Sequence, residues 1–360
     1  MKFIHVASYK DGFFNGILSV LEELIPAQRA LGHEVWIFNH EYNDRELIAG
    51  EKYVKGVRDF VRNVDSVHPD FVIFHSLYGL DDVKFSYYLR YKKIPYMVEP
   101  HGGTSLENAK KNRLKKKIAN IVYANNFLHN AAGLIYLNEK EKEECVFQRI
   151  RRDCVVVPNG TRIHGLSGKS RQADVVRFVF LARIDIVQKG LDLLFPAIEE
   201  ANKMGALEKA EFHFYGKARN PQWGGMFDEY ITKASGNVIY HGPAMGIDKE
   251  SAFEEGDVFI LTSRYEGMPM AVLEALSYGL PCLLTQQTNV TEIIENKNCG
   301  WVTETSIESI SNSIINVIED FHNRRDELMN NAVDAAKMFE WSAVAVRSIN
   351  NYAQITGLTY

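Results

Sequence analysis

The chain has 360 residues, of which 46% are hydrophobic and 24% charged, a globular composition with room for two domains of ordinary size. With 41 basic against 46 acidic side chains the formal charge is −5, so no overall basic field points to nucleic acid. The four cysteines (Cys145, Cys154, Cys282 and Cys299) lack metal-like spacing and read as reduced thiols, with neither a disulfide framework nor a zinc site.

Apolar, β-prone runs are expected as strands at residues 3–7, 35–38, 71–74, 96–98, 134–137 and 155–157, with helical stretches between most of them. Pro26 should kink or break the helix expected over residues 16–31. Asn138 followed by Glu141 reads as a capping box, and Cys145 falls on a helix. A second set of strands is expected at 178–182, 211–215, 238–240, 258–261 and 282–284. Between the sets, Gly165, Ser167, Gly168, Lys169 and Ser170 have the composition of a linker. The alternation implies an α/β protein of two Rossmann-like, doubly wound domains facing across a cleft. The boundaries read are 1–163 with a C-terminal helix 343–360, and 164–342. The run at residues 2–7 is too short for a secretory h-region, and no apolar run approaches the ~20 residues of a spanning helix. A cytoplasmic location is expected, with attachment to the inner face of the membrane left open.

The most informative segment is Arg264-Tyr265-Glu266-Gly267-Met268-Pro269-Met270, leading into a helix that carries Glu274. A buried strand precedes it, Pro269 suits a helix's first turn, and Gly279 with Pro281 is a stop signal. Backbone N–H groups from Gly267 to Met270 would open the helix and form an anion site. Glu274, one turn in, and Glu266, flanking the loop, would accept from the paired hydroxyls of a sugar or ribose. Singly, either glutamate also reads as a solvated helix-start residue complementing the dipole. The coincidence of spacing, glycine and both helix boundaries favours a sugar-phosphate site.

This segment resembles the E-x7-E signature of the retaining family-four (group one) glycosyltransferases of the GT-B fold. It has the usual flanks, Ser263 before the loop and Glu274-Ala-x-x-x-Gly279-x-Pro281 after it. The resemblance implies that Glu266 sits beside the transferred sugar and that Glu274 holds the donor ribose. Pro269 departs from the family's small residue or glycine, leaving Met268 or Met270 to supply phosphate contacts. Near residue 183, Arg183 follows a strand and Lys189 comes six positions later. Alone they suit either a diphosphate or a cationic surface; the resemblance makes them clamps on the donor diphosphate.

His101 ends a first-half strand and is followed by Gly102 and Gly103, which permit close approach of backbone. A histidine there is often structural; the resemblance makes it a contact to a donor sugar hydroxyl, and His75 a weaker candidate on the acceptor side. In the first loop the family's Gly-Gly pair is replaced by Asn15-Gly16, so only Gly16 is carried over as a donor contact. Backbone around Pro243 and Ala244 would read a uridine or guanosine base, with no base-specific side chain. Lys110, Lys111, Arg113, Lys115, Lys116 and Lys117 form a basic run that is either a solvated helix face or a patch for anionic lipid or a lipid-linked acceptor.

No Asp-x-Asp occurs anywhere in the sequence, and neither a Walker loop nor a full G-x-G-x-x-G follows the first strand, which disfavours the other large glycosyltransferase fold, kinases, NTPases and dehydrogenases. The expectation is a retaining, metal-independent glycosyltransferase with no cofactor beyond its nucleotide-diphosphate sugar. The resemblance implies a glycan or lipid-linked acceptor in bacterial surface polysaccharide, lipopolysaccharide or glycolipid synthesis. Its mechanism would be front-face displacement. Two alternatives stay open: a sugar-nucleotide-binding accessory protein without transfer, and a sugar-nucleotide epimerase.

Overall fold

The computed structural model describes residues 1–9, 16–41, 47–103, 118–145, 153–166, 174–234 and 237–358. The chain divides into two compact units, Met1–Gly160 with Trp341–Tyr360, and Thr161–Glu340.

The first unit is built on a seven-stranded parallel sheet in the order β3-β2-β1-β4-β5-β6-β7. Its strands are β1 (Lys2–Ala7), β2 (Glu34–Asn39), β3 (Glu51–Tyr53), β4 (Phe71–Phe74), β5 (Tyr96–Val98), β6 (Gly133–Tyr136) and β7 (Asp153–Val156). Every residue of β4, β5 and β6 is buried, so both faces of the sheet are covered there, which is why these strands are unbroken apolar runs. The helices described in this unit are α1 (Gly16–Ala30), α2 (Gly56–Val67), α3 (Leu80–Lys92), α4 (Asn125–His129) and α5 (Glu139–Glu143). Phe60 and Phe85 stack at 4.1 Å between α2 and α3.

Helix α1 does not break at Pro26. Its buried side chains Leu18, Val20, Leu21, Leu24, Ile25 and Gln28 span both sides of the proline, and their burial outweighs one lost backbone hydrogen bond. Asn138 caps α5 as the capping-box reading expects: its Oδ1 accepts from Glu141 N at 2.8 Å. The Glu141 carboxylate accepts from Leu137 N (2.9 Å) and Gly102 N (2.6 Å). Cys145 lies just past α5, not within it, and all four cysteines are free thiols.

The C-terminal helix, Trp341–Thr356, packs on α1 and β7. Tyr352 is fully buried, edge-on to Phe3 (6.0 Å) and Phe71 (5.8 Å), and Asn351 Nδ2 donates to Val156 O at 3.0 Å. A Cβ at Gly160 would collide with the Trp341 indole, so this return needs a glycine.

The second unit is a six-stranded parallel sheet in the order β10-β9-β8-β11-β12-β13. It comprises β8 (Val176–Leu181), β9 (Ala210–Tyr215), β10 (Val238–Gly242), β11 (Val258–Leu261), β12 (Cys282–Thr285) and β13 (Gly300–Thr303). The helices are α6 (Leu191–Lys203), α7 (Pro221–Lys233), α8 (Ile247–Glu255), α9 (Met270–Ser277), α10 (Thr291–Asn296) and α11 (Ile307–Ala336), the last kinked at Arg324. Stacked pairs Phe178–Phe212 (4.8 Å) and Phe195–Phe214 (4.9 Å) anchor its core.

Strands β3 and β13 have no counterpart in the sequence reading. Both are edge strands, and their short segments Glu51-Lys52-Tyr53 and Gly300-Trp301-Val302-Thr303 carry little apolar signal. Of the expected linker, Ser167 to Ser170 lie outside the described residues. Gly165 is docked rather than loose: its N–H donates to Ser277 O at 2.9 Å.

Candidate active site

Strand order reverses between β8 and β11 in the second unit, and between β1 and β4 in the first. Beside such reversals adjacent loops leave in opposite directions, opening a crevice at the carboxyl ends of the strands. In the second unit the loops leaving β8 and β11 hold Arg183, Lys189 and Glu266.

The turn from Arg183 to Gly190 is held from within. Asp185 Oδ1 accepts from Gln188 N (3.0 Å), Asp185 O accepts from Lys189 N (2.9 Å), and Arg219 pairs with Asp185 Oδ2 at 3.4 Å. Gly190 has φ +64°, and a Cβ there would run into Thr262 O. Thr262 Oγ1 donates to the Lys189 carbonyl (3.1 Å), tying the turn to the end of β11. Arg264 closes the other side, bidentate on Asp192 at 2.6 and 2.8 Å.

Within this frame Lys189 Nζ lies 2.6 Å from Glu266 Oε1, and the Ser263 hydroxyl donates to the same oxygen at 2.6 Å. The Lys189 and Glu266 side chains are 11% and 10% exposed, so removing either strands a desolvated charge. The Glu266 backbone is pinned through Gln287 O (3.1 Å) and Asn289 Nδ2 (2.7 Å). Arg183 differs: Nη2 reaches Gln188 Oε1 at 3.4 Å, while Nε is buried with no partner. Among the described residues it makes no ion pair, and it opens the turn that carries Lys189.

Helix α9 starts at Met270, with Pro269 as its N-cap (φ −71°, ψ 116°) and no side-chain cap. The expectation that Pro269 lies inside the first turn is corrected: Gly267 and Met268 precede the helix, and Met270 is its first residue. Proline's fixed φ suits this extended cap, and its missing N–H leaves Met270 as the first helical donor. Met268 is buried. Glu274 is one turn in, and Lys249 of α8 reaches it at 2.6 Å. Pro243 and Ala244 follow β10 at the same sheet edge, where Gly216 N donates to Gly242 O (2.8 Å) and Tyr240 Oη to Gly216 O (2.7 Å).

The second unit brings Lys189 and Glu266 into contact, sets Arg183 in the same turn as Lys189, and pairs Glu274 separately with Lys249. Sequence reasoning missed Lys249, Thr262, Gln287 and Asn289. They sit on separate elements and carry no spacing signal, although the position of Thr262 beside Ser263 at a strand end could have drawn notice.

Gly16 and His101 belong to the first unit. Gly16 opens α1, with no atom of the described residues within 4 Å of its Cβ position, and residues 10–15 before it lie outside the described residues. The basic run at 110–117 also lies outside them. His101 follows β5 in a left-handed conformation (φ 47°) and stacks on His75 at 5.1 Å, which stacks on His5 at 5.0 Å. His75 is 1% exposed, so the acceptor-side role expected for it is corrected to an interior one. Burial pushes His101 and His5 down to about 4 and lowers His75 as well. Burial, reinforced by Glu141, raises Glu99 to about 8. His75, Glu99 and His101 bring potential ligand atoms within 4.8 Å of one another. His75 Nδ1 and His101 Nε2 are already hydrogen-bonded together at 2.8 Å, so the group is a chain of imidazoles, not an open cage.

Two doubly wound parallel sheets are the architecture of the GT-B fold. The chain superposes over its full length on the whole of sucrose-phosphate synthase from Thermosynechococcus elongatus, with a TM-score of 0.78 at 15% identity. Residues 176–320, which contain all six strands of the second sheet, match the family model described as Glycosyl transferases group 1. One similar sequence is the UDP-Gal:alpha-D-GlcNAc-diphosphoundecaprenol alpha-1,3-galactosyltransferase of Escherichia coli, 36% identical over 74 residues; the match covers 20% of this chain and 19% of that protein. Another is the N,N'-diacetylbacillosaminyl-diphospho-undecaprenol alpha-1,3-N-acetylgalactosaminyltransferase of Campylobacter jejuni, 24% identical over 74% of this chain and 72% of that one.

Proposed function

We propose that the protein transfers a sugar, with retention of anomeric configuration, from a nucleotide-diphosphate sugar to a hydroxyl of a lipid-linked glycan in bacterial surface-polysaccharide synthesis. The observation carrying this reading is that Arg183, in the turn that also carries Lys189, makes no ion pair among the described residues, while Lys189 is paired with Glu266 at the sheet's reversal. A diphosphate would supply the missing counter-charge. As the donor bond breaks, charge builds on the departing diphosphate, and Arg183, Lys189 and the start of α9 would stabilise it without reorganisation. Glu266 would face the transferred sugar. Glu274 would take the ribose hydroxyls once Lys249 releases it.

Both relatives act on undecaprenyl diphosphate-linked sugars by name, and one uses UDP-galactose, which supports a lipid-linked acceptor and makes uridine the first base to try. A membrane-surface location is part of the same proposal. Ile118, Ile121 and Val122, directly after the basic run in sequence, are 56%, 72% and 69% exposed. Among the described residues no helix is long and apolar enough to cross a membrane.

The test is calorimetry against a panel of nucleotide sugars, followed by donor hydrolysis and transfer with the anomeric product read by NMR. One donor should bind and be slowly hydrolysed, and Arg183→Ala should lose ~10²–10³ in turnover while keeping its melting temperature. Lys189→Ala and Glu266→Ala should lose comparable activity. Wild-type turnover in any two of the three sinks the assignment. Tight binding with neither hydrolysis nor transfer would favour an accessory binding protein, and donor interconversion without acceptor an epimerase.

A further inference from the structure

The first unit contains a buried hydrogen-bond chain that the proposed chemistry does not use. It starts on the C-terminal helix, where Ser348 Oγ donates to Ala345 O at 2.7 Å. That commits the single hydroxyl proton, so Ser348 must accept from Gln28 Nε2, 3.0 Å away on α1. Gln28 Oε1 then faces His5 Nε2 at 3.1 Å and can only accept. Onward, His5 Nδ1 meets His75 Nε2 at 2.7 Å, and His75 Nδ1 meets His101 Nε2 at 2.8 Å. Gln28, His5 and Ser348 are fully buried, and His75 is 1% exposed.

A neutral imidazole has one N–H and one lone pair, so each link dictates the next. His5 must carry its proton on Nε2 to serve Gln28, leaving Nδ1 to accept. His75 must therefore carry its proton on Nε2 and accept at Nδ1, and His101 follows suit. We propose that Ser348, Gln28, His5 and His75 are positioning residues for His101: the chain holds its proton on Nε2 and leaves Nδ1 bare.

Two further observations fit. Burial keeps all three rings neutral near pH 7, the condition for a directional chain. At the far end, His101 Nδ1 lies 3.6 Å from Glu99 Oε1, and His75 Nδ1 lies 3.4 Å from Glu99 Oε2. An ionised carboxylate would oppose two lone pairs there. Glu99, which burial keeps protonated to about pH 8, is neutral instead, and its single O–H is left for His101 Nδ1, since the His75 Nδ1 lone pair already accepts from His101. The other charged groups acting on the chain are Arg29, which disfavours a charged His5, and Glu141, which holds Glu99 neutral. The effect of the chain on turnover rests on the glycosyltransferase reading; the tautomer of His101 does not.

The experiment labels histidine with ¹⁵N in the full-length protein and records two-bond ¹H–¹⁵N correlations near pH 7, with His101 assigned by its loss in His101→Gln. The wild-type ring should show a protonated Nε2 and a bare Nδ1. Gln28→Leu removes the anchor, and its His101 signals should shift toward a mixture of tautomers. Should Gln28→Leu fail to fold by circular dichroism, Ser348→Ala frees the Gln28 amide and should produce the same shift. A proton on Nδ1 in the wild type overturns the proposal, as does an unchanged His101 tautomer in a folded anchor variant. If the transfer reading also holds, Gln28→Leu added to His101→Gln should lose far less turnover than the two single losses multiplied.

Discussion

Glu99 and the histidines around it pull stability in opposite directions along the pH scale. Glu99 is raised from 4.5 to about 8, so between those values the folded chain holds a proton that the unfolded chain has released, and stability falls as pH rises. His5 and His101 are lowered from 6.5 to about 4, so across that window the unfolded chain binds protons the folded chain refuses, and stability rises with pH. His75 acts in the same sense. Among these four groups three rising contributions outweigh one falling one below about pH 6.5, and only Glu99 acts above it, where His40, raised against the cost of burial by its bond to Asp82, adds to the fall. The melting temperature should peak near that point and decline toward about pH 8, and Glu99→Gln should flatten the decline. Calorimetric melts across this range decide it; a wild-type protein that gains stability from pH 6.5 to 8 contradicts the assignment.

At the scale of elements, the turn between β8 and α6 shows how the fold positions chemistry. Gly190 adopts a left-handed φ where any Cβ meets the Thr262 carbonyl, and Thr262 Oγ1 in turn holds the Lys189 carbonyl. Gly190→Ala should cost at least the ~1–2 kcal/mol of a left-handed non-glycine residue, and weaken donor binding by displacing Lys189. A urea midpoint equal to wild type would refute that reading. The elements legible in the sequence were those whose local chemistry agrees with their place: buried central strands as apolar runs, α9 between proline and glycine signals, Asn138 as a cap. The edge strands β3 and β13 were not legible, because half their backbone pairing and little apolar packing leave a weak pattern. Pro26 misled for the opposite reason, since packing around α1 overrides a local preference.

Over the whole molecule, the run from Lys110 to Lys117 places six cations in a chain of net charge −5. Each cation near an anionic surface contributes ~1 kcal/mol. The protein should co-sediment with phosphatidylglycerol-containing vesicles at low salt, lose that binding as salt rises, and lose it when the six cations become glutamine. Absence of binding to such vesicles at low salt removes the membrane-surface proposal.

The sequence by itself determined the alternation of strands and helices, and with it two parallel sheets. It also determined Arg183, Lys189, Glu266 and Glu274 as the residues to examine, because those signals lie within short windows. Only the tertiary structure decided what the charges do before a ligand arrives: Lys189 paired with Glu266, Lys249 with Glu274, and Arg183 without an ion pair among the described residues. It alone assembled the chain from Ser348 to His101, whose members come from β1, α1, the C-terminal helix and the ends of β4 and β5. Hydrogen bonds between residues 320 positions apart leave no local pattern; they exist only once the sheet and the returning helix have brought those side chains together.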